Sequence, residues 1–158
     1  MPHHRTLRLA RAAGAAAALA ALIPAAAAAQ ARTGQQVFAG TCAACPGPAG
    51  AGNGELFPPL AGSEWVTGSE ARLVRIILHG LTGEIEVEGQ TYSGMMPPWA
   101  ASLSDADVAA VATYIRSSFG NKAAPVATAT VTEIRKAHTD RTTPWTAAEL
   151  AKFVRVTK

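Results

Sequence analysis

"TCAACPGPAG", residues 41–50, holds both cysteines of the 158-residue chain, Cys42 and Cys45, and follows them with Pro46. Cysteines at C-x-x-C spacing admit three chemistries: a local disulfide, half of a zinc site, or a pair of covalent attachment points. If the segment closes a helix, positions 42, 45 and 46 share one side, because residues three and four apart are neighbours on a helix surface. Pro46 brings no lone pair and no N–H to that side, and it biases Cys45 away from the helical region. The rest of the chain decides among the three.

Upstream, "MPHHRTLRLAR" is a basic leader, and an alanine-rich run ending in "IPAAAAAQA" follows it. This is the n-region, h-region and small-residue cleavage pattern of an export signal over residues 1–31, with cleavage after Ala29 or Ala31. The alternative is an uncleaved anchor, but alanine is weakly apolar and a spanning helix needs about 20 well-apolar residues. Three of the 14 Lys and Arg residues lie in this leader, so the 11 that remain balance the 11 acidic residues. The basic pI thus belongs to the leader and gives no footprint for nucleic acid. Export places the cysteines in an oxidising compartment, the periplasm. With no second C-x-x-C and only His79 and His138 beyond the leader, a four-ligand structural zinc site is disfavoured.

Downstream the pattern is helical, with Gly- and Pro-rich loops. "TGQQVFAGTCAAC" reads as a first helix capped by Thr33, and "PGPAGAGNGELFPPLAGS" as irregular chain. "SEARLVRIILHG" is a helix capped by Ser69, with Leu73, Ile76 and Ile77 on its inner face and Gly80 as its stop. "LTGEIEVEGQTYSGMMPPWA" reads as a loop with a small hairpin around "EIEVEGQTY". "LSDADVAAVATYIRSSFG" is a second helix, with a Ser104–Asp107 capping box and Gly120 at its end. Residues 32–120 form one small domain. Residues 121–158 form an extension of one or two short helices, with start patterns at Thr130–Glu133 and Thr146–Glu149. So small a domain has a limited core and favours a buried prosthetic group as a staple.

The three features that follow the cysteines come in a fixed order: "PPLAG", "YSGMMPPW" and a terminal "DVAAVATYI". Together the four resemble those of class I c-type cytochromes, most closely the bacterial monohaem carriers that accompany periplasmic dehydrogenases or oxidases. The resemblance implies an all-α fold, a bundle of short helices wrapped round one covalent haem c. It implies one-electron transfer rather than enzymatic turnover. Cys42 and Cys45 would be the attachment residues and Met96 the distal ligand, with Met95 as the neighbouring alternative. Pro59 and Leu60 would pack beside the haem, with Tyr92 and Trp99 near its edge. Partners would be periplasmic redox proteins, a dehydrogenase donor and an oxidase or reductase acceptor, with no stable membrane anchor. The departure is Pro46, which stands where the family has its proximal histidine and so bears on haem loading as well as ligation.

Two other functional readings stay open beside the electron carrier. Pro46 supports a haem-deficient binding or structural module on a cytochrome-like scaffold. The C-x-x-C pair supports a dithiol redox protein, though no βαβ pattern surrounds it. Among the remaining residues, His79 suits a helix C-terminus and His138 reads as solvated tail. Arg72 and Arg75 read as helix surface. Glu84, Glu86 and Glu88 form a solvated edge, or else a patch that steers a basic partner.

Overall fold

Thr33 does begin the first helix. In the computed structural model, which describes residues 31–54 and 56–154, it caps α1 (Gly34–Val37) with a reciprocal box. Its hydroxyl accepts from the Gln36 N–H, and its own N–H donates to the Gln36 side chain. The chain then widens into a π-helical turn over Phe38–Cys42, with the Ala43 N–H donating to the Phe38 carbonyl. Such turns recur at functional sites. The expected export signal, residues 1–31, lies outside the described residues except for Ala31.

Ser63 caps a short helix, α2 (Glu64–Thr67), which the Gly/Pro pattern concealed. α3 (Glu70–His79) follows, capped by Ser69 and stopped at Gly80. α4 (Asp105–Ser117) carries the expected Ser104–Asp107 box, and Arg32 adds a bidentate ion pair to Asp107. α4 ends before Gly120, at Ser118, and Phe119 takes the left-handed conformation at φ 58°.

The all-α expectation is only approximate. A two-stranded antiparallel sheet joins the helices: β1 (Leu81–Val87) pairs with β2 (Gln90–Met96), Leu81 opposite Met96 and Val87 opposite Gln90. The turn is Glu88–Gly89, both at positive φ (50° and 79°). That is the mirror-image geometry a two-residue hairpin requires. The expected small hairpin therefore extends from Leu81 to Met96, leaving only residues 97–100 of the supposed loop outside it, and Met96 closes a strand.

The extension is part of the fold. α5 (Thr128–Ala137) packs on α3 and α4 and places Val131 and Ile134 in the same core as Val37, Phe38, Leu73, Leu78, Val108 and Val111. It starts two residues before the expected Thr130 and has no side-chain cap. Arg135 ties it down by an ion pair with Asp105 and by donating to the Ala100 and Leu103 carbonyls. α6 (Ala147–Leu150) has the expected Thr146–Glu149 box and runs into a 3₁₀ turn over Ala151–Phe153. Trp145 and Leu150 complete a second cluster with Ile76 and Leu81.

Candidate functional site

Helix termini leave backbone groups without intrahelical partners, and here those groups position the site. At the end of α3 the Ile77 and Leu78 carbonyls accept from the Trp99 and Ala100 N–H groups (3.1 and 3.0 Å). This seats the Met96–Pro97–Pro98–Trp99 segment against the helix. Gly80 makes the approach close enough. At φ 80° and ψ 176° it adopts a conformation confined to glycine, and a Cβ there would collide with the Met96 carbonyl. On the opposite side, the Leu60 N–H donates to the Gly50 carbonyl (2.8 Å) and the Gly52 N–H to the Pro46 carbonyl (2.9 Å). These bonds fold the Gly/Pro loop back beside the cysteines.

Between the two lies a cavity of about 210 Å³. Every sequence-predicted site residue lines it: Cys42, Cys45, Pro59, Leu60, Tyr92, Met96 and Trp99, together with Pro46 and Met95. Its inner wall is Phe38 from the π-turn, Leu73, Ile76 and Ile77 from α3, and Val111 and Ile115 from α4. Leu56 and Met95, 66% and 71% exposed, stand at its rim. Among the described residues, no lysine, arginine, histidine or carboxylate lines it.

Cys42 and Cys45 are both free thiols, Cys42 half-buried and Cys45 exposed. Burial first, and the neighbouring Cys45 second, push the Cys42 thiol up to about 11. A reactive dithiol needs the opposite shift, toward the thiolate, so the environment disfavours thiol-exchange chemistry at Cys42. An apolar cavity with two adjacent thiols at one side and a thioether at the other fits a covalently attached haem c. The fit stops at Pro46, which offers no axial donor.

Three sequence readings change. Arg72 and Arg75 are buried rather than superficial: Arg72 donates to the Glu64 carbonyl and stacks over Trp65, and Arg75 donates to Ala71 and stacks over Phe153. A guanidinium spreads its charge over a flat face and stacks on rings, which lets both lie inside. His138 is not solvated tail. Its Nε2 accepts from Arg75, and its ring meets His79, Trp145 and Phe153 edge-on. His79, at the end of α3 as expected, is buried with an unpartnered Nε2. Burial is the largest cause holding both imidazoles below their usual range, and neighbouring positive charge adds to it.

Two positioning residues escaped the sequence reading. Asn121 accepts from the Gly62 N–H and donates to the Leu60 and Ile115 carbonyls, pinning the Leu60 wall to α4. Arg116 donates to the Val66, Gly68 and Ala124 carbonyls. The polar residue directly after Gly120 was the available clue to Asn121. Nothing in the local pattern marked Arg116 as inward.

Residues 29–115 match the family described as "Cytochrome C oxidase, cbb3-type, subunit III". The chain is 35% identical over 117 residues to cytochrome c-552 of Thermus thermophilus, covering 70% of this chain and 88% of that one. It is 38% identical over 105 residues to the cytochrome c subunit of the quinone alcohol dehydrogenase of Gluconacetobacter polyoxogenes, covering 65% of this chain and 22% of that one. It is 34% identical over 94 residues to the cbb3-type oxidase subunit FixP of Bradyrhizobium diazoefficiens, covering 58% of this chain and 29% of that one. With the cavity and its cysteine pair, these matches place the chain in the class I c-type cytochromes, a haem-binding electron-transfer family, and among them it belongs to the cbb3-type subunit III group.

Proposed function

We propose that this protein is an exported one-electron carrier that holds a single haem c and passes electrons between periplasmic redox partners, a dehydrogenase or similar donor and an oxidase or reductase acceptor. The observation that supports it most is that Cys42, Cys45 and Met96 all open onto one apolar cavity. Cys42 and Cys45 would form the two thioether links, and Met96 would face the iron as a soft, neutral ligand that raises the potential. When bound, haem c supplies reversible one-electron chemistry. The chain's part is to exclude water through its apolar walls, to hold Pro59, Leu60 and Trp99 against the group, and to leave one side open. Among the described residues no helix is long and apolar enough to cross a membrane.

The test is a pyridine haemochrome spectrum and a haem stain on a denaturing gel, for protein exported in a host with c-type maturation. Haem that survives denaturation supports the carrier. A folded, colourless protein refutes it. Pro46 favours a second reading, a haem-deficient module on the cytochrome scaffold. That reading expects haem in Pro46→His and none in the native chain.

A further inference from the structure

After α5 the chain runs back along α3 as a strap, residues 138–153, and two imidazoles sit between them. His79 ends α3 and His138 opens the strap, with ring centroids 6.0 Å apart. Trp145 meets both rings edge-on, and Phe153 meets His138 and Trp145. His138 Nε2 accepts from Arg75 Nε (3.1 Å). His79 is 7% exposed, and its Nε2 has no hydrogen-bond partner among the described residues.

The charge facing this pair is positive. Arg75 comes from α3, Arg135 from α5 and Arg141 from the strap itself. The carboxylates of the neighbouring helices are engaged elsewhere, Asp105 of α4 with Arg135 and Glu149 of α6 with Arg141. Among the described residues, none forms an ion pair with either imidazole. Asp140 and Lys152 are exposed, and Leu81 and Thr82, where β1 meets the strap, carry no charge. A second proton therefore suits neither ring. On His138 it turns the Nε2 acceptor into a donor facing the Arg75 donor. On His79 it buries a charge with no acceptor at Nε2. Burial first, then the facing positive groups, already hold both imidazoles below their usual range.

The strap can leave without opening the main core. Its apolar anchor is the separate cluster of Trp145 and Leu150 with Ile76 and Leu81. Its polar ties are the Trp145 N–H on the Gly80 carbonyl (3.0 Å), the Thr82 N–H on the Trp145 carbonyl (2.8 Å) and the Ser69 hydroxyl on the Phe153 carbonyl (2.7 Å). Segments joined to a body in this way open as local units.

We propose that residues 138–153 form an acid-released strap: protonation of His79 and His138 frees the segment from α3 and β1 while the main core stays folded. Release bares the start of the β1 margin and takes the Trp145 N–H from the Gly80 carbonyl. Only groups of this chain take part.

Hydrogen–deuterium exchange read by mass spectrometry, on the full chain as exported, tests this at pH 7.5 and 5.5 after correction for intrinsic exchange. In peptides carrying Thr82 and Trp145, exchange should quicken by up to about tenfold per imidazole, since each titrates near 6.5 once released and below that in place. Peptides from α4, with Val108 and Val111, should change by less than about twofold. His138→Gln keeps an acceptor for Arg75 that takes up no proton, so its acid response should be smaller by up to about tenfold. A native strap that changes by less than about twofold overturns the proposal. So does α4 exchanging in step with the strap, which is acid unfolding of the whole chain, and so does an equal response in the native chain and His138→Gln. The comparison of strap with α4 uses the native chain alone, so it decides the matter even where the variant fails to fold.

Discussion

Gly80→Ala tests how the wall bearing Met96 is held. Gly80 is fixed from both sides: its N–H donates to the Ile76 carbonyl (2.8 Å) and its carbonyl accepts from the Trp145 N–H (3.0 Å). The residue cannot rotate away from φ 80° without losing one of them. A methyl group there meets two costs. A non-glycine residue in this conformation costs about 1–3 kcal/mol. Its collision with the Met96 carbonyl adds overpacking of about 1–3 kcal/mol, since the obstacle is backbone rather than a flexible side chain. The expected loss is about 3 kcal/mol, read as a lower urea midpoint at unchanged m-value, with melting lowered by roughly 10 °C. Gly83→Ala separates the two costs. Gly83 also has positive φ, 88°, but a Cβ there meets nothing within 4 Å. It should lose only the conformational part. A Gly80→Ala loss below about 1 kcal/mol would refute the reasoning, because the strain alone accounts for that much. Equal losses in the two variants would refute the collision.

Acid should weaken the fold in two stages. His79 and His138 are held below their usual range by burial and by nearby arginines, so the unfolded chain binds their protons first. Stability is full above the unfolded value of about 6.5 and falls as pH drops through it toward the lower folded values. Asp107, lowered to about 2 chiefly by Arg32 and Ser104, adds a second loss below the unfolded carboxylate range of about 4. Urea midpoints from pH 8 to 3 report both stages, and a flat profile between pH 7 and 5 contradicts the first. Arg116→Ala should cost about 3 kcal/mol, because it leaves the buried Val66 carbonyl and two part-buried ones without a donor. A change under about 1 kcal/mol in a chemical melt would mean that water replaces it. Asp107→Ala should cost about 1 kcal/mol by removing half of the α4 capping box. Arg32→Ala, its exposed partner, should cost clearly less in the same melt, because exposed ion pairs contribute little, so equal losses would show that the ion pair rather than the box carries the effect.

The cavity walls were legible because they sit on motifs with fixed chemistry. The cysteine spacing, Pro59–Leu60 and Met96–Pro97–Pro98 can be read residue by residue. Ser69, Ser104 and Thr146 announced their helices by capping patterns that the backbone obeys. The hairpin was seen too short because Gly83 and Gly94 interrupt its alternation, yet they pair with each other in register. α2 was hidden because four residues carry too little periodicity to stand out from a Gly/Pro loop. The extension was underestimated for a related reason. Val131 and Ile134 look like a sparse apolar face until α3 and α4 are placed beside them. The inward arginines were illegible because a guanidinium is buried by what surrounds it in space, and those carbonyls and rings come from distant parts of the chain.

The hairpin also bears on self-association. A two-stranded sheet has two open margins, each a row of unpaired N–H and carbonyl groups ready to template another strand. On β1 the start of that row is closed by the chain itself, since the Trp145 carbonyl accepts from the Thr82 N–H beside the Gly80–Trp145 bond. Further along, Glu84 and Glu86 stand exposed, with Glu88 at the turn. A second copy approaching this margin in register would set carboxylate against carboxylate. The three glutamates thus oppose edge-to-edge pairing of two copies along this margin, whether or not a basic partner ever meets them.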